Sequence, residues 1–301
     1  MNSLAQRLDI VRVLGIFSSL LLVFCMVSVG RADLIAYEGF DYANGDLRGE
    51  EGEENDGGEG DWTGPWSAGS GSGDGFSWQV GPPSLGYTDS GGRALVTTGR
   101  SVEADGGEHR ETRPWNTAGH KDDGDVVWFS FLFGSNTGPS AGHHIFIVGE
   151  NHDNGMGVFI NETTISARIN NQGVAFGGGH KFFTAGEDHF VVGRITFSDA
   201  MEDEVRFWLD PELDAIPLDT AVNSGATSVA VDASGWSNLY IRKFGSGVDL
   251  LDEFRIGTDF FSVVPVPEPS SLAFVGLAAL VALMGHVSRR KGSRRPNERA
   301  Q

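Results

Sequence analysis

The sequence predicts an all-β chain, an antiparallel sandwich of the jelly-roll kind, with a signal helix at its N-terminus and a single membrane helix at its C-terminus. Three observations carry this. Runs of β-branched and aromatic residues recur every 10–20 residues, separated by glycine-rich and acidic turns. Between the two terminal segments no stretch sustains a 3.6-residue apolar period. The 43 glycines among 301 residues suit a fold with many tight turns.

The strands follow in order. Val126–Phe133 (VVWFSFLF) lies between Gly124 and Gly134. His144–Val148, Gly157–Ile160 and Thr164–Ile169 come next, the last two divided by Asn161-Glu162. Phe190–Phe197 and Glu204–Leu209 flank the acidic stretch Ser198–Asp203 and read as a hairpin. Leu239–Phe244 and Leu251–Ile256 close the series. Gly177-Gly178-Gly179 opens no helix and reads as a turn. There is no internal repeat. A hydrophobic content of 40% fills one core, and about 230 residues is routine for one sandwich.

The termini carry the targeting information. Arg7 and Arg12 precede an apolar stretch from Val13 to Val29 that ends in Gly30-Arg31-Ala32, a secretory signal with cleavage after Ala32. Its long apolar region leaves an uncleaved anchor as the alternative. Cys25, the only cysteine, lies inside this segment behind Phe24, where a lipoprotein would need a small residue. The mature chain therefore has no disulfide, although its compartment permits one. At the other end, Val266-Pro267-Glu268-Pro269-Ser270-Ser271 precedes the apolar run Leu272–Val287. Arg289, Arg290, Lys291, Arg294 and Arg295 follow as a cytoplasmic stop. Sixteen residues rise ~24 Å, which is short for a hydrocarbon core of about 30 Å, and many of them are Ala or Gly. An ordinary single-span anchor is the plainer reading. The order of Pro-Glu-Pro, helix and basic end resembles more closely the PEP-CTERM sorting signal of exopolysaccharide-producing bacteria. That resemblance implies the secretion machinery and an exosortase-type processing enzyme as partners. It also implies a membrane-anchored precursor in the inner membrane, then release or transfer to the cell surface or extracellular matrix. The chain divides into residues 1–32 (signal peptide), 33–264 (ectodomain), 265–295 (sorting signal) and 296–301 (tail).

Charge narrows the function. Asp33–Val264 carries 13 Lys and Arg against 38 Asp and Glu, a net −25, compared with −19 for the whole chain. Such a domain repels nucleic acid and suits a hydrated matrix or divalent cations. Its strands resemble those of the concanavalin A-like or laminin-G-like jelly roll. The resembling pieces are Val127-Trp128-Phe129-Ser130-Phe131, Phe190-Val191-Val192-Gly193-Arg194-Ile195, Val205–Pro211 and Leu251–Gly257, with the opening Tyr37–Tyr42. The resemblance covers Leu34–Phe261 and implies the fold, not an activity.

Candidate sites are few. Gly45–Gly60 holds seven carboxylates and almost no apolar residue, so it reads as a solvated loop, with Ca²⁺ ligation as the functional reading. Its spacing does not fit the EF-hand. Trp62, Trp66 and Trp78 stand among glycines and serines and either stack on sugar rings or plug the edge of the sandwich, the second being preferred. Trp128 and Trp208 sit within strands and belong to the core. His143, His144, His152 and Asp153 include metal-ligating types, but adjacent strand residues face opposite ways, so His143 and His144 cannot both join one site. Neither the carboxylate pairing of glycosidases nor a nucleophile motif is present, and no cofactor is expected. The chain thus reads as an exported, non-catalytic surface protein that binds or organises extracellular polysaccharide. A purely structural or adhesive matrix protein and a glycan-cleaving enzyme are the alternatives.

Overall fold

The computed structural model describes residues 33–49, 62–69, 76–135, 142–199 and 202–265. Their strands form two sheets in which every ladder is antiparallel. The larger sheet runs β14 (Ser224–Val229), β13 (Asp203–Leu209), β12 (Asp188–Thr196), β7 (Val126–Ser135), β16 (Val248–Gly257), β5 (Arg100–Asp105), β4 (Gln79–Pro83), β2 (Gly45–Asp46), with β1 (Leu34–Glu38) also on β16. The smaller sheet runs β11 (Val174–Phe182), β10 (Thr164–Asn171), β9 (Asn154–Asn161), β8 (Gly142–Asn151), β15 (Asn238–Phe244), β6 (His109–Pro114), β3 (Ser67–Ala68). This is the expected antiparallel, jelly-roll-like sandwich.

Strand β7 shows why its sequence is an unbroken apolar run. Val127, Phe129, Phe131 and Phe133 point into the core between the sheets. Trp128 and Leu132 point the other way, into a second cluster with Leu85, Phe190, Trp208 and Leu213. That outer cluster is roofed by the short helix α1 (Phe260–Val263), capped by Asp259. A strand covered on both faces has no reason to alternate. Trp128 and Trp208 stack at 5.5 Å in this cluster, so their assignment to buried packing holds.

Strand β16 joins the ends of the domain. Along one edge it pairs first with β5, through Val248–Leu251, and then with β1, through Phe254–Gly257. The change of partner falls at a bulge where Glu253 has φ +55°. The carboxylates there replace the missing ladder bonds. Asp252 accepts from the Ser84 hydroxyl at 2.6 Å and the Leu85 amide at 2.8 Å. Glu253 accepts from the Tyr37 hydroxyl at 3.0 Å and from the Thr98 amide.

Two expectations change. Gly177-Gly178-Gly179 is not a turn but part of β11, where the edges of the two sheets meet. Gly179 has φ +66°, and a Cβ there would lie 2.2 Å from the Cα of Gly225 on β14. Only glycine lets the two backbones approach so closely. Strands β2 to β6 and β14 were not anticipated: β2 and β3 are two residues each, QVGPP and SGATSV are poor in large apolar residues, and RSVEAD and HRETRP carry charges that hide the period of two. The signal helix, cleavage site, sorting motif and membrane helix lie outside the described residues, as does most of Gly45–Gly60. Among the described residues no helix is long and apolar enough to cross a membrane.

The fragment Asp33–Pro265 is expected to unfold in urea in one cooperative transition. Deleting residues 33–38 exposes one edge of β16 and removes Glu38, so the midpoint should fall sharply. A truncated fragment with an unchanged midpoint would show that β1 contributes nothing.

Candidate functional site

The tryptophans proposed for sugar stacking do not form a platform. Trp66 and Trp78 are 1% and 0% exposed. Trp66 donates its indole N–H to Glu38 at 2.8 Å, within a buried cluster where Glu38 also accepts from the Phe40 amide, the Tyr42 hydroxyl and Arg113. Trp62 donates to the Tyr37 carbonyl at 2.8 Å, and the Arg113 guanidinium covers its ring at 4.5 Å. Trp78 packs edge-on against His109. A buried carboxylate needs several donors. Trp66 follows from that need, and Trp62 covers the guanidinium of Arg113, which pairs with the same carboxylate, so both are structural.

His143 and His144 face opposite ways, as strand geometry requires. His143 points inward and lies 3.2 Å from Asp249. His144 points outward among Phe146, Phe159 and Phe244. His152 contacts Asp153 at 3.2 Å on the β8–β9 turn. Among the described residues no three His, Cys, Asp or Glu side chains come together as a metal site.

The outward position of His144 opens onto a face that the strand readings had not assembled. Registers across β10, β9, β8, β15 and β6 place residues in rows on the outer surface of the smaller sheet. One row runs Ser166, Phe159, His144, Arg242, Arg110. The next runs Arg168, Gly157, Phe146, Tyr240, Thr112. The inward neighbours, such as Ile145, Val158, Ile169 and Ile241, belong to the core. The signal in the sequence was this alternation of charged or aromatic residues with aliphatic ones, visible in TISARINN and NLYIRKF. Five strands at about 4.8 Å spacing make a face about 19 Å wide. No described strand or helix packs across it.

Polar atoms on this face are left without partners. The Tyr240 hydroxyl, the Thr112 hydroxyl, Nη1 of Arg110 and Nδ1 of His144 are all buried and make no hydrogen bond among the described residues. Tyr240 is fully buried, with Phe146 stacked at 6.2 Å, while His144 and Arg110 are 6% exposed. Each buried, unsatisfied group costs about 1–3 kcal/mol. At the border of the face, Gly142 has φ +142°, and a Cβ there would come within 3.0 Å of the rings of both Phe159 and Phe244.

The electrostatics favour donors. Burial first, then the guanidiniums of Arg168 and Arg242, push the His144 imidazole down to about 3, so it is neutral at ordinary pH. Burial pushes the Tyr240 phenol up to about 12 against the pull of Arg242 and Arg110, so it keeps its proton. Glu108 receives Arg110 at 2.5 Å and Arg242 at 2.6 Å. Burial would raise its carboxyl, but these two partners hold it below the usual carboxylate range. The face thus holds fixed cations, a neutral imidazole and a protonated phenol.

Destination is decided by the tail. Residues 265–295 match the PEP-CTERM protein-sorting motif. The chain is accordingly an exported protein sorted to the cell surface, and the motif implies processing by an exosortase-type system. No curated protein matches the chain. Among solved structures it is similar to a protein of unknown function from Shewanella oneidensis, with 10% identity, a TM-score of 0.41, and 80% of this chain and 93% of that one covered. It is also similar to an endo-β-1,4-glucuronan lyase from the fungus Trichoderma reesei, with 13% identity, a TM-score of 0.38 and coverage of 75% and 98%. The T. cruzi calreticulin globular domain gives 10%, 0.39, and 72% and 88%. At such identities these are likenesses of fold.

Trp66→Ala should lower the melting temperature strongly, since truncating a large buried side chain costs about 3–5 kcal/mol and Glu38 also loses a donor. An unchanged melting temperature would return Trp66 to the surface. His144 gives a second expectation, with a definite sign. Its folded-state pKa of about 3 lies below the unfolded value of about 6.5. Stability is therefore complete above pH ~6.5 and is lost as pH falls toward 3, because only the unfolded chain takes up the proton. In His144→Phe the curve of melting temperature against pH should be flatter over this window, and an identical curve would rule out the low pKa.

Proposed function

We propose that this protein is a non-catalytic surface component that binds extracellular polysaccharide through the outer face of its smaller sheet. The observation that carries this reading is the gathering of unpartnered, buried polar atoms from Arg110, Thr112, His144 and Tyr240 on the outer side of the smaller sheet. Such atoms are tolerated where a ligand or bound water completes them. Delivery to the cell surface puts the face in contact with matrix glycans. Before processing, the run Leu272–Val287 holds the precursor in the inner membrane. Glycan cleavage is the less favoured reading, because His144 at about 3 and Tyr240 at about 12 titrate far from ordinary pH, where a general acid or base works best.

A glycan array probed with the purified full-length protein in detergent tests the proposal. Tyr240→Phe should weaken binding about fivefold, the worth of one hydrogen bond of about 1 kcal/mol. Its melting temperature should hold or rise, because the lost hydroxyl had no partner in the free protein. A drop in melting temperature with binding intact would make Tyr240 purely structural. Release of new chain ends from a bound polysaccharide would replace the binding role with a cleaving one.

A further inference from the structure

We infer that the polysaccharide taken by this face is anionic, carrying an oxyanion on its sugars; the inference rests on the binding role just proposed and names its ligand class. In a chain of net charge −19, carboxylates should crowd every surface. Here Arg110 and Arg242 share the carboxylate of Glu108, and the third guanidinium, that of Arg168, stands apart from it. Arg168 has no ion-pair partner among the described residues. Its Nε donates to the Asn170 side chain at 2.8 Å, and its Cζ lies 5.3 Å from the ring centre of Phe159. Opposite it in the ladder stands Gly177, which puts no side chain in the way of the guanidinium. Arg110 has one unpartnered Nη beside the unpartnered hydroxyls of Thr112 and Tyr240. The nearby carboxylates at the β8–β9 end are engaged, Glu150 with Asn154 at 2.9 Å and Asp153 with His152 at 3.2 Å.

Spacing indicates a polymer. The backbones of Arg242 on β15 and Arg168 on β10 are three strand intervals apart, about 14 Å at 4.8 Å each, and each guanidinium lies against its own ring, Arg242 at 4.9 Å from Phe244 and Arg168 at 5.3 Å from Phe159. An extended chain with charges on successive sugars meets both. A guanidinium fork suits a carboxylate or a sulfate equally, so the shared chemistry is the oxyanion. Nucleic acid is disfavoured because a duplex carries one charge per about 1.7 Å and meets the repulsion of the whole acidic domain.

The test uses the full-length protein in detergent and matched probes: polygalacturonate against its methyl ester, dextran sulfate against dextran, and single-stranded DNA. The expected result is at least tenfold tighter binding of one charged glycan than of its neutral twin, weakened by added salt. The pair that discriminates tells carboxylate from sulfate. Arg168→Gln should lower affinity for the charged glycan fivefold or more and leave neutral glycans unaffected, while Arg168→Lys retains most of it. Should Arg168→Gln not fold, Arg242→Gln should give the same pattern. Equal binding of charged and neutral twins overturns the inference while leaving polysaccharide binding intact. DNA bound as tightly as the glycans overturns it in favour of a different polyanion. Retention of no glycan, charged or neutral, overturns the binding role and the inference together.

Discussion

The sandwich depends on the central position of β16. This last strand pairs with β7 on one edge and with both β5 and β1 on the other, and α1 folds back over it. The first and last strands of the domain therefore hold each other, and Asp33 at the head of β1 exchanges hydrogen bonds with Thr258 just beyond β16. A contact between the two ends of a chain forms only after the loop-closure entropy has been met. The domain cannot be complete until nearly all of it has left the secretion channel. The bulge at Asp252 and Glu253 is what lets one edge serve two partners, and the buried carboxylates tie it to Ser84, Leu85, Tyr37 and Thr98.

A second buried network explains the tryptophan-rich segment. Glu38 sits 2% exposed at the end of β1, and Arg113 on β6 pairs with it across the two sheets. Removing either partner would leave a charge unpaired in the interior, which is far costlier than the pair is worth. Trp66 and Tyr42 complete the shell of donors. Trp66 and Trp78 are buried and the ring of Trp62 is covered by Arg113, so none of the three offers a free face to a sugar, although a glycine- and serine-rich sequence makes them look exposed.

Much of the architecture was legible because burial leaves a simple trace. VVWFSFLF and FVVGRITF announced strands, and the acidic stretch between β12 and β13 announced their hairpin. The triglycine misled because glycine marks close backbone approach as well as turns, and only the fold brings Gly179 against Gly225. The candidate face was harder to see. Arg110, His144, Arg168 and Tyr240 come from four strands, one of which, β6, the sequence did not announce. What joins them is register, which no local pattern contains. His143 and His144 show the limit from the other side: the sequence could state that they diverge, but not that His144 alone would meet three aromatic rings.

The chain enters the sorting motif on the side of the sandwich opposite the cationic face. Helix α1 packs on the outer side of the larger sheet, and the Val96 amide holds the Pro265 carbonyl at 3.3 Å, immediately before Val266-Pro267-Glu268-Pro269. The guanidiniums lie on the outer side of the smaller sheet, across a sandwich whose layers are about 10 Å apart. Pro265, at the start of the motif, and the guanidiniums are therefore separated by both sheets. The binding face proposed above would accordingly be the same before and after a cut in the tail.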